Sequence, residues 1–231
     1  MRRSRINQII EEAIAFVDEQ HFFLPRFAYW TPNEWRRKGE EVRMIIDRQL
    51  GWDVTEFGQD KFDELGLVLF TLRNGSLENL ERGKGMLYAE KAMIVGVNQV
   101  TPMHYHRSKT EDIINRGGGR LAIQLYIADD NDDLGSGNVS FVADGTRCVV
   151  PAGHVIALKP GESITITPGL YHSFWAEDET VLAGEVSTVN DDSSDNRFLE
   201  TVGRFPSIDE DEPPRHLLVT DYRRCVRLAH H

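Results

Sequence analysis

The sequence predicts a mainly β protein, an antiparallel β-sandwich or β-barrel preceded by a helical N-terminal extension. Three observations support this fold class. Apolar residues recur at spacings of three and four within the first 20 residues, which is the period of a helix. From residue 65 onward they come in short runs rich in β-branched side chains. Clusters of Gly, Pro, Asp and Asn separate these runs.

The N-terminal extension begins with a predicted amphipathic helix over residues 5–19. One face of this helix carries apolar side chains, namely Ile6, Ile9, Ile10, Ala13, Ile14 and Val17. An apolar stripe of this kind is buried against a neighbouring layer in a folded domain. We therefore expect the helix to pack on the β domain.

Two further helices are predicted in this extension. Thr31 can accept a hydrogen bond at the start of a helix, Pro32 suits the first turn, and Glu34 completes the pattern of a capping box. Residues 40–50 predict another helix. Residues 1–60 are therefore expected to form the helical extension.

Residues 61–231 are predicted to form the β domain, which makes one compact unit with the extension. The predicted strands lie within residues 65–72, 91–97, 121–127, 148–158, 163–167 and 181–188. Many short strands separated by turn signals are typical of an antiparallel sandwich or barrel.

The composition excludes several classes of function. The chain has 231 residues and a formal net charge of −11, so we expect neither a nucleic acid nor a membrane surface as partner. No apolar run approaches the length of a membrane span, and polar residues interrupt the N-terminus where a signal peptide would be apolar. Cys148 and Cys225 form no motif, which favours reduced thiols in a cytoplasmic protein. An open sheet edge and a helical arm favour a homodimer.

Two segments carry the side chains of a predicted metal site. His104 and His106 are two residues apart, so on a strand both imidazoles point to the same face. Glu111 follows after a short turn, and a Pro-Gly turn before His172 brings a further imidazole to the start of another strand. Such a pair of histidines alone is more often structural, but the added Glu111 and His172 favour a metal site.

Three imidazoles and one carboxylate suit one divalent first-row metal ion, and the residues alone leave Mn, Fe, Co, Ni and Zn open. Four protein ligands leave two positions of an octahedral ion free. A substrate with two adjacent oxygens could occupy both positions.

The same two segments resemble the paired motifs of the cupin superfamily. The first motif is matched by His104, His106, Glu111 and Gly118. The second is matched by Gly161, Gly169 and His172. Thr167 stands where the second motif has proline, which leaves the ligands intact. The resemblance implies a cupin-type antiparallel β-barrel of the jelly-roll kind.

A narrower resemblance extends over roughly residues 5–225. Together with the helical extension, the segments 27–32, 104–112 and 184–192 look like those of D-lyxose isomerases. That family consists of cupin-type, manganese-dependent sugar isomerases, which interconvert D-lyxose with D-xylulose and often D-mannose with D-fructose. The resemblance implies that Mn²⁺ is the favoured metal and that a small aldose or ketose is the substrate.

Two charged residues are candidates for the catalytic chemistry of such an isomerase. The reaction moves a proton between adjacent carbons through a metal-stabilised cis-enediolate, so it needs a general base. Glu185 lies inside an apolar strand, where a carboxylate is unexpected, and we take it as the leading base. Lys109 lies two residues before Glu111 and could donate to a sugar oxygen. A solvent-exposed position of either residue remains the alternative.

Asp195 and Arg197 follow Glu185 closely and are further candidates for binding sugar hydroxyls, together with Lys109 and Glu185. A solvated loop explains Asp195 and Arg197 equally well. Two other functions stay open from the sequence. One is a cupin dioxygenase that uses Fe(II) and oxygen, and the other is a non-catalytic sugar-binding cupin.

Overall fold

Two antiparallel β-sheets face each other, and a long N-terminal helix covers the outer face of the larger one. The computed structural model describes residues 1–189, 191, 194–203 and 206–226. Its helices are α1 (Arg3–Glu19), α2 (Pro32–Arg37), α3 (Arg43–Asp47), α4 (Leu77–Arg82) and α5 (Tyr222–Cys225). Short 3₁₀ turns lie at Arg26–Ala28, Glu40–Val42 and Val219–Asp221.

The strands follow the chain from residue 51 to residue 198. They are β1 (Gly51–Thr55), β2 (Leu67–Asn74), β3 (Tyr88–Val95), β4 (Thr101–His106), β5 (Glu111–Gly118), β6 (Leu121–Ile127), β7 (Val139–Ala143), β8 (Thr146–Val150), β9 (Val155–Leu158), β10 (Ser163–Ile166), β11 (Leu170–Ala176), β12 (Val181–Thr188) and β13 (Asn196–Phe198).

The larger sheet has eight strands in the order β1-β2-β3-β12-β5-β10-β7-β8, and the smaller has five in the order β13-β4-β11-β6-β9. Side chains from both inner faces form one apolar core between the sheets. Leu69, Met93 and Ile113 come from the larger sheet, and Ile123 and Phe174 come from the smaller. Because side chains alternate along a strand, the neighbours of these residues point outward.

Helix α1 packs on the outer face of the larger sheet. Ile6, Ile10 and Val17 belong to a second apolar cluster with outward-facing strand residues such as Val68 and Phe70. The apolar stripe predicted from the sequence is therefore the face that is buried. This contact leaves the inner face of the same sheet free to supply the polar side chains of a site.

The structure agrees with the mainly β architecture predicted from the sequence and differs in detail near its N-terminal boundary. The capping box is present, because Thr31 accepts from the backbone of Glu34 and the Glu34 side chain accepts from the backbone of Thr31. The helix expected over residues 40–50 is shorter, and β1 follows it at once. The first 60 residues are thus not helical throughout. In β1 the apolar Trp52 and Val54 alternate with polar residues, which is the pattern of a strand.

The predicted run 148–158 contains two strands, β8 and β9, because the Pro151-Ala-Gly turn interrupts it. The other predicted strand runs correspond to β2, β3, β6, β10 and β12. Strands β5, β7 and β13 and helix α4 were not among the predicted elements. Among the described residues, no helix combines the length and the apolar character that crossing a membrane requires.

Candidate active site

Three histidines converge at the inner face of the smaller sheet. His104 and His106 lie on β4, and His172 lies directly opposite His104 on the neighbouring strand β11. One ring nitrogen from each of the three lies within 4.8 Å of the others, and all three residues are buried. The two-residue spacing and the strand register together produce this cluster, as the sequence predicts.

Glu111 brings a carboxylate to the cluster from the opposite sheet. It is the first residue of β5, and its Oε1 lies 3.2 Å from His106 Nε2 and 3.1 Å from His172 Nε2. The two sheets therefore meet at this point through polar groups and not through apolar ones. All four predicted metal ligands are brought together.

The other ring nitrogens of these histidines face acceptors in the surrounding chain. His104 Nδ1 donates to the carbonyl of Pro102 at 2.8 Å, and His172 Nδ1 donates to the carbonyl of Leu170 at 3.1 Å. His106 Nδ1 lies 3.7 Å from Asp195 Oδ2. Outer partners of this kind fix the orientation of an imidazole that binds a metal through its other nitrogen.

The donor set fits a cation. Burial lowers the pKa of His104 well below its usual range and also lowers the pKa of His106, so both rings are neutral near pH 7. In a neutral ring whose Nδ1 donates, Nε2 carries only a lone pair. His172 Nε2 is buried, has no hydrogen-bond partner among the described residues, and lies 3.1 Å from the Glu111 carboxylate oxygen, so two electron-rich atoms face each other where a positive charge would stabilise both. A divalent metal would supply that charge.

A buried chain of alternating charges leads away from the cluster. Lys109 Nζ lies 2.6 Å from Glu111 Oε2 and 2.9 Å from Glu185 Oε1. Burial alone would raise the pKa of Glu185, but the charges of Lys109 and Lys91 outweigh burial and hold that pKa below its ordinary value. The predicted base and the predicted donor are therefore in direct contact, and Glu185 is ionised.

The position of Lys109 depends on Asp195. The Asp195 carboxylate accepts from the Ser108 backbone at 2.8 Å, from the Ser108 hydroxyl at 2.6 Å and from the Lys109 backbone at 3.2 Å. These hydrogen bonds occupy both of its oxygens. The structure thus places Asp195 near the site as a support for the loop before β5, where the sequence suggested a ligand of sugar hydroxyls.

Arg197 is not brought to the histidine cluster. On β13 it lies opposite Tyr105 of β4, whose side chain faces outward, and its Nε lies 3.7 Å from Asp132 Oδ2. Its neighbours Asn196 and Phe198 face inward, because alternate residues of a strand point to opposite faces. The expectation that Arg197 contacts the sugar therefore does not agree with this geometry.

Several residues of the site cavity were not predicted from the sequence. They include Thr55, Phe57, Lys91, Thr101, Asn196 and Phe198. The Phe198 ring stacks on the His104 ring, with 5.2 Å between centroids, and also contacts Phe57. Strand alternation could have identified Phe198 and Asn196 only if the pairing of β13 with β4 had been known.

Comparison with known proteins identifies the family. A sequence profile of the D-lyxose isomerase family matches residues 1–222. The chain belongs to the D-lyxose isomerase family. The D-lyxose/D-mannose isomerase of Serratia proteamaculans is 48% identical over 229 residues, which cover 98% of this chain and 100% of that protein. The protein of the same name from Escherichia coli O157:H7 is 48% identical over 227 residues, covering 97% and 99%.

Membership of the D-lyxose isomerase family confirms the prediction of a sugar isomerase. Solved structures of L-ribose isomerases share the fold. The enzyme of Geodermatophilus obscurus matches with a TM-score of 0.60 at 15% identity, over 90% of this chain and 98% of that one. The enzyme of Acinetobacter sp. DL28, solved in complex with L-ribose, matches with a TM-score of 0.57 at 15% identity, again over 90% of this chain and 98% of that one. The predicted cupin-type fold is confirmed.

Proposed function

We propose that this protein is a metal-dependent aldose–ketose isomerase that interconverts D-lyxose with D-xylulose and also D-mannose with D-fructose. The observation that carries this proposal is the contact between the His104–His106–Glu111–His172 cluster and the buried pair of Lys109 and Glu185. The names of the two relatives at 48% identity support the choice of sugars.

We propose that His104, His106, Glu111 and His172 hold one divalent ion. Mn²⁺ is the favoured ion, and Co²⁺, Ni²⁺, Fe²⁺ and Zn²⁺ also suit three imidazoles and one carboxylate. When bound, the ion would act as a Lewis acid toward two adjacent oxygens of the sugar. The neutral imidazoles of His104 and His106, and the buried His172 nitrogen that faces the Glu111 carboxylate, support this assignment.

Glu185 is proposed as the group that moves the proton. Its carboxylate takes the proton from C2 of the aldose, which gives the cis-enediolate, and returns it to C1. The proton of the O2 hydroxyl moves to O1, so the product ketose has the composition of the aldose. A single base positioned beside the sugar transfers this proton on one face. Glu111 is the weaker candidate, because its Oε1 already faces two imidazoles and coordination would lower its basicity.

Lys109 is proposed as the residue that donates a hydrogen bond to a sugar oxygen while Glu185 moves the proton. Its ammonium contacts both carboxylates in the cavity and carries three donor hydrogens, so it can also donate to a sugar oxygen. A cation fixed there stabilises negative charge that develops on that oxygen in a site from which water is excluded.

The test uses the metal-loaded protein and D-lyxose in heavy water. We expect D-xylulose to form and some of it to carry solvent deuterium at C1, because the proton held by Glu185 can exchange before it is returned. Failure to turn over D-lyxose, D-mannose or any other aldose of a pentose and hexose panel would contradict the proposal. Oxygen consumption that depends on Fe(II) would indicate the dioxygenase instead.

The remaining proposals concern the cellular location and the oligomeric state of the protein. We propose a cytoplasmic homodimer, since Cys148 and Cys225 are both free thiols and β8 and β9 are edge strands of the two sheets. Light scattering coupled to size exclusion would measure the mass of the assembly. A mass close to that of one 26.3 kDa chain would contradict the dimer.

A further inference from the structure

Two lysines hold the carboxylate of Glu185, although the proposed chemistry needs only one. Oε1 of Glu185 lies 2.9 Å from Lys109 Nζ and 3.3 Å from Lys91 Nζ, and it accepts from the Ser187 hydroxyl at 3.1 Å. Lys91 and Glu185 are each 5% exposed, so this ion pair is removed from water. Two ammonium groups converge on this oxygen and fix the orientation of the carboxylate, and the Ser187 hydroxyl shares its one hydrogen between this oxygen and the carbonyl of Thr188 at 2.8 Å.

The two lysines differ in their attachment to the fold. Lys91 lies directly opposite Glu185 where β3 pairs with β12, in the middle of the larger sheet. Lys109 lies in the loop between β4 and β5, and its ammonium is shared between Glu185 and Glu111. Lys91 therefore approaches Glu185 from a regular strand, whereas Lys109 is shared between two carboxylates of the site and belongs to a less regular segment.

When a sugar binds, the three donor hydrogens of Lys109 are divided among Glu111, Glu185 and a sugar oxygen. If the Lys109 ammonium turns toward a sugar oxygen, its interaction with Glu185 weakens. A buried carboxylate that loses its cation carries a large desolvation cost. A second cation that stays in place removes most of that cost.

We propose that Lys91 is a positioning residue, which keeps the Glu185 carboxylate oriented and its charge compensated while Lys109 acts on the sugar. This inference rests on the proposed isomerase function. A purely structural role explains Lys91 poorly, because apolar residues at such positions generally stabilise a core as well as a buried ion pair does. Lys91 also lines the site cavity together with Glu185 and Lys109.

The kinetic test compares Lys91→Met and Lys91→Arg with wild type. We expect kcat of K91M to fall about 10- to 100-fold, the size typical of groups that orient a functional residue, with KM little changed. K91R keeps the charge and should recover part of kcat. An increase in KM at unchanged kcat would overturn the proposal, because it would make Lys91 a ground-state ligand of the sugar.

A double-mutant cycle tests whether Lys91 acts through Glu185. In the Glu185→Gln background, we expect K91M to cause no further loss of kcat, since the group that it positions is gone. Effects of K91M and E185Q that multiply independently would overturn the proposal. The double variant K91M/E185Q has no charge left at either position of this pair. Its comparison with E185Q therefore holds even if K91M alone folds poorly. In that case K91R replaces K91M as the single variant.

Arg3→Met provides the matched control. It removes a buried cation that pairs with Asp221 at 2.9 Å in a part of the molecule outside the site. We expect R3M to lower the thermal midpoint without lowering kcat of the folded protein. If K91M behaves like R3M, with lower stability and unchanged kcat, Lys91 is structural and the inference is wrong.

A crystal structure of K91M separates this inference from the proposed function. We expect the Glu185 carboxylate to turn away from its wild-type orientation, and this result does not depend on any turnover. An unmoved carboxylate would overturn the positioning role even in an active enzyme. Wild-type protein that isomerises no sugar, combined with a displaced carboxylate in K91M, would instead refute the proposed function.

Discussion

Contacts at the centre of the site join residues that are separated by very different numbers of residues along the chain. The pair His104 and His106 depends on a spacing of two residues, so the sequence alone predicted it. Lys109 and Glu111 are likewise two residues apart, one in the loop before β5 and the other at the start of β5. The contact of Lys91 with Glu185 joins residues far apart in sequence and requires the register of β3 with β12, which the sequence does not reveal.

Replacing Glu185 by glutamine removes the proposed base and keeps the shape of the side chain. We expect kcat to fall about 10²- to 10⁴-fold, the contribution typical of a general base. Metal content and sugar binding should persist, as measured by elemental analysis and calorimetry. The exposed Glu179 just before β12 provides the control variant Glu179→Gln, which should behave like wild type. Unchanged kcat in E185Q would assign the proton transfer to another group.

Replacing His172 by alanine removes one imidazole from the proposed metal site. Wild type should bind about one divalent ion per chain, and H172A should bind far less because a four-ligand site loses a quarter of its donors. Chelation of wild type should lower both activity and the thermal midpoint, since an ion that binds only the folded state stabilises it. His154 is exposed, so His154→Ala should retain the metal. Equal metal content in both variants would contradict the assignment.

At the scale of strands and turns, local pattern predicted most elements and failed where the pattern was short. Helix α1 and the capping box of α2 were predicted because their signals span several consecutive residues. Strand β1 was missed because its five residues lie within residues 1–60, which were assigned together to the helical extension. Strand β13 has only three residues, and its placement depends on pairing with β4, so its own residues carry little signal.

Gly118 ends β5 and is one of the glycines that carry the cupin resemblance. It has a φ of +85°, and a Cβ there would lie 2.0 Å from the carbonyl oxygen of Thr180. Gly161, another glycine of these motifs, has a φ of +95° and open space around it. Gly137 has neither a positive φ nor a close neighbour. Gly118 therefore combines backbone strain with a steric contact, Gly161 has the strain alone, and Gly137 has neither.

Alanine at each position, with the free energy of unfolding measured in urea, tests this separation. We expect Gly161→Ala to cost about 1–2 kcal/mol, the cost of a left-handed conformation for an L-residue. Gly118→Ala should cost more, because the carbonyl must also move. Gly137→Ala should stay within about 0.5 kcal/mol of wild type. Equal costs at Gly118 and Gly161 would mean that the chain relaxes around the added methyl group.

At the scale of the whole molecule, two sets of contacts join the extension to the β domain. Helix α1 shares an apolar cluster with the outer face of the larger sheet, and its first residue Arg3 contacts the C-terminal segment. The Arg3 guanidinium pairs with the buried Asp221 at 2.9 Å and with Glu210 at 2.9 Å. The boundary at residue 60 therefore marks a change of sequence pattern. We expect the extension (residues 1–60) and the β domain (residues 61–231) to unfold as one unit.

Arg3→Met tests this coupling. Arg3→Met removes one cation from the buried Asp221, which keeps its pairing with Arg224 at 3.1 Å. We therefore expect a loss of about 1.5–3 kcal/mol in the free energy of unfolding at pH 7, the size typical of hydrogen bonds to charged groups. Helical signal and tryptophan fluorescence should still change together in urea, because Trp52 lies in the cluster that α1 shares with the sheet. Two separate transitions in wild type would show that the extension and the β domain fold independently.

The same variant should change the acid stability of the protein. Hydrogen bonds from Arg3 and from Arg224 lower the pKa of Glu210 from its ordinary 4.5 to about 2. A carboxylate with a lowered pKa stabilises the folded state above pH 4.5, and this contribution is lost as the pH falls toward 2. Since R3M removes the main cause of the lowered pKa, we expect its free energy of unfolding to fall less steeply than that of wild type between pH 4.5 and 2. Parallel curves for the two proteins in urea titrations across this range would mean that Glu210 does not couple the two ends of the chain.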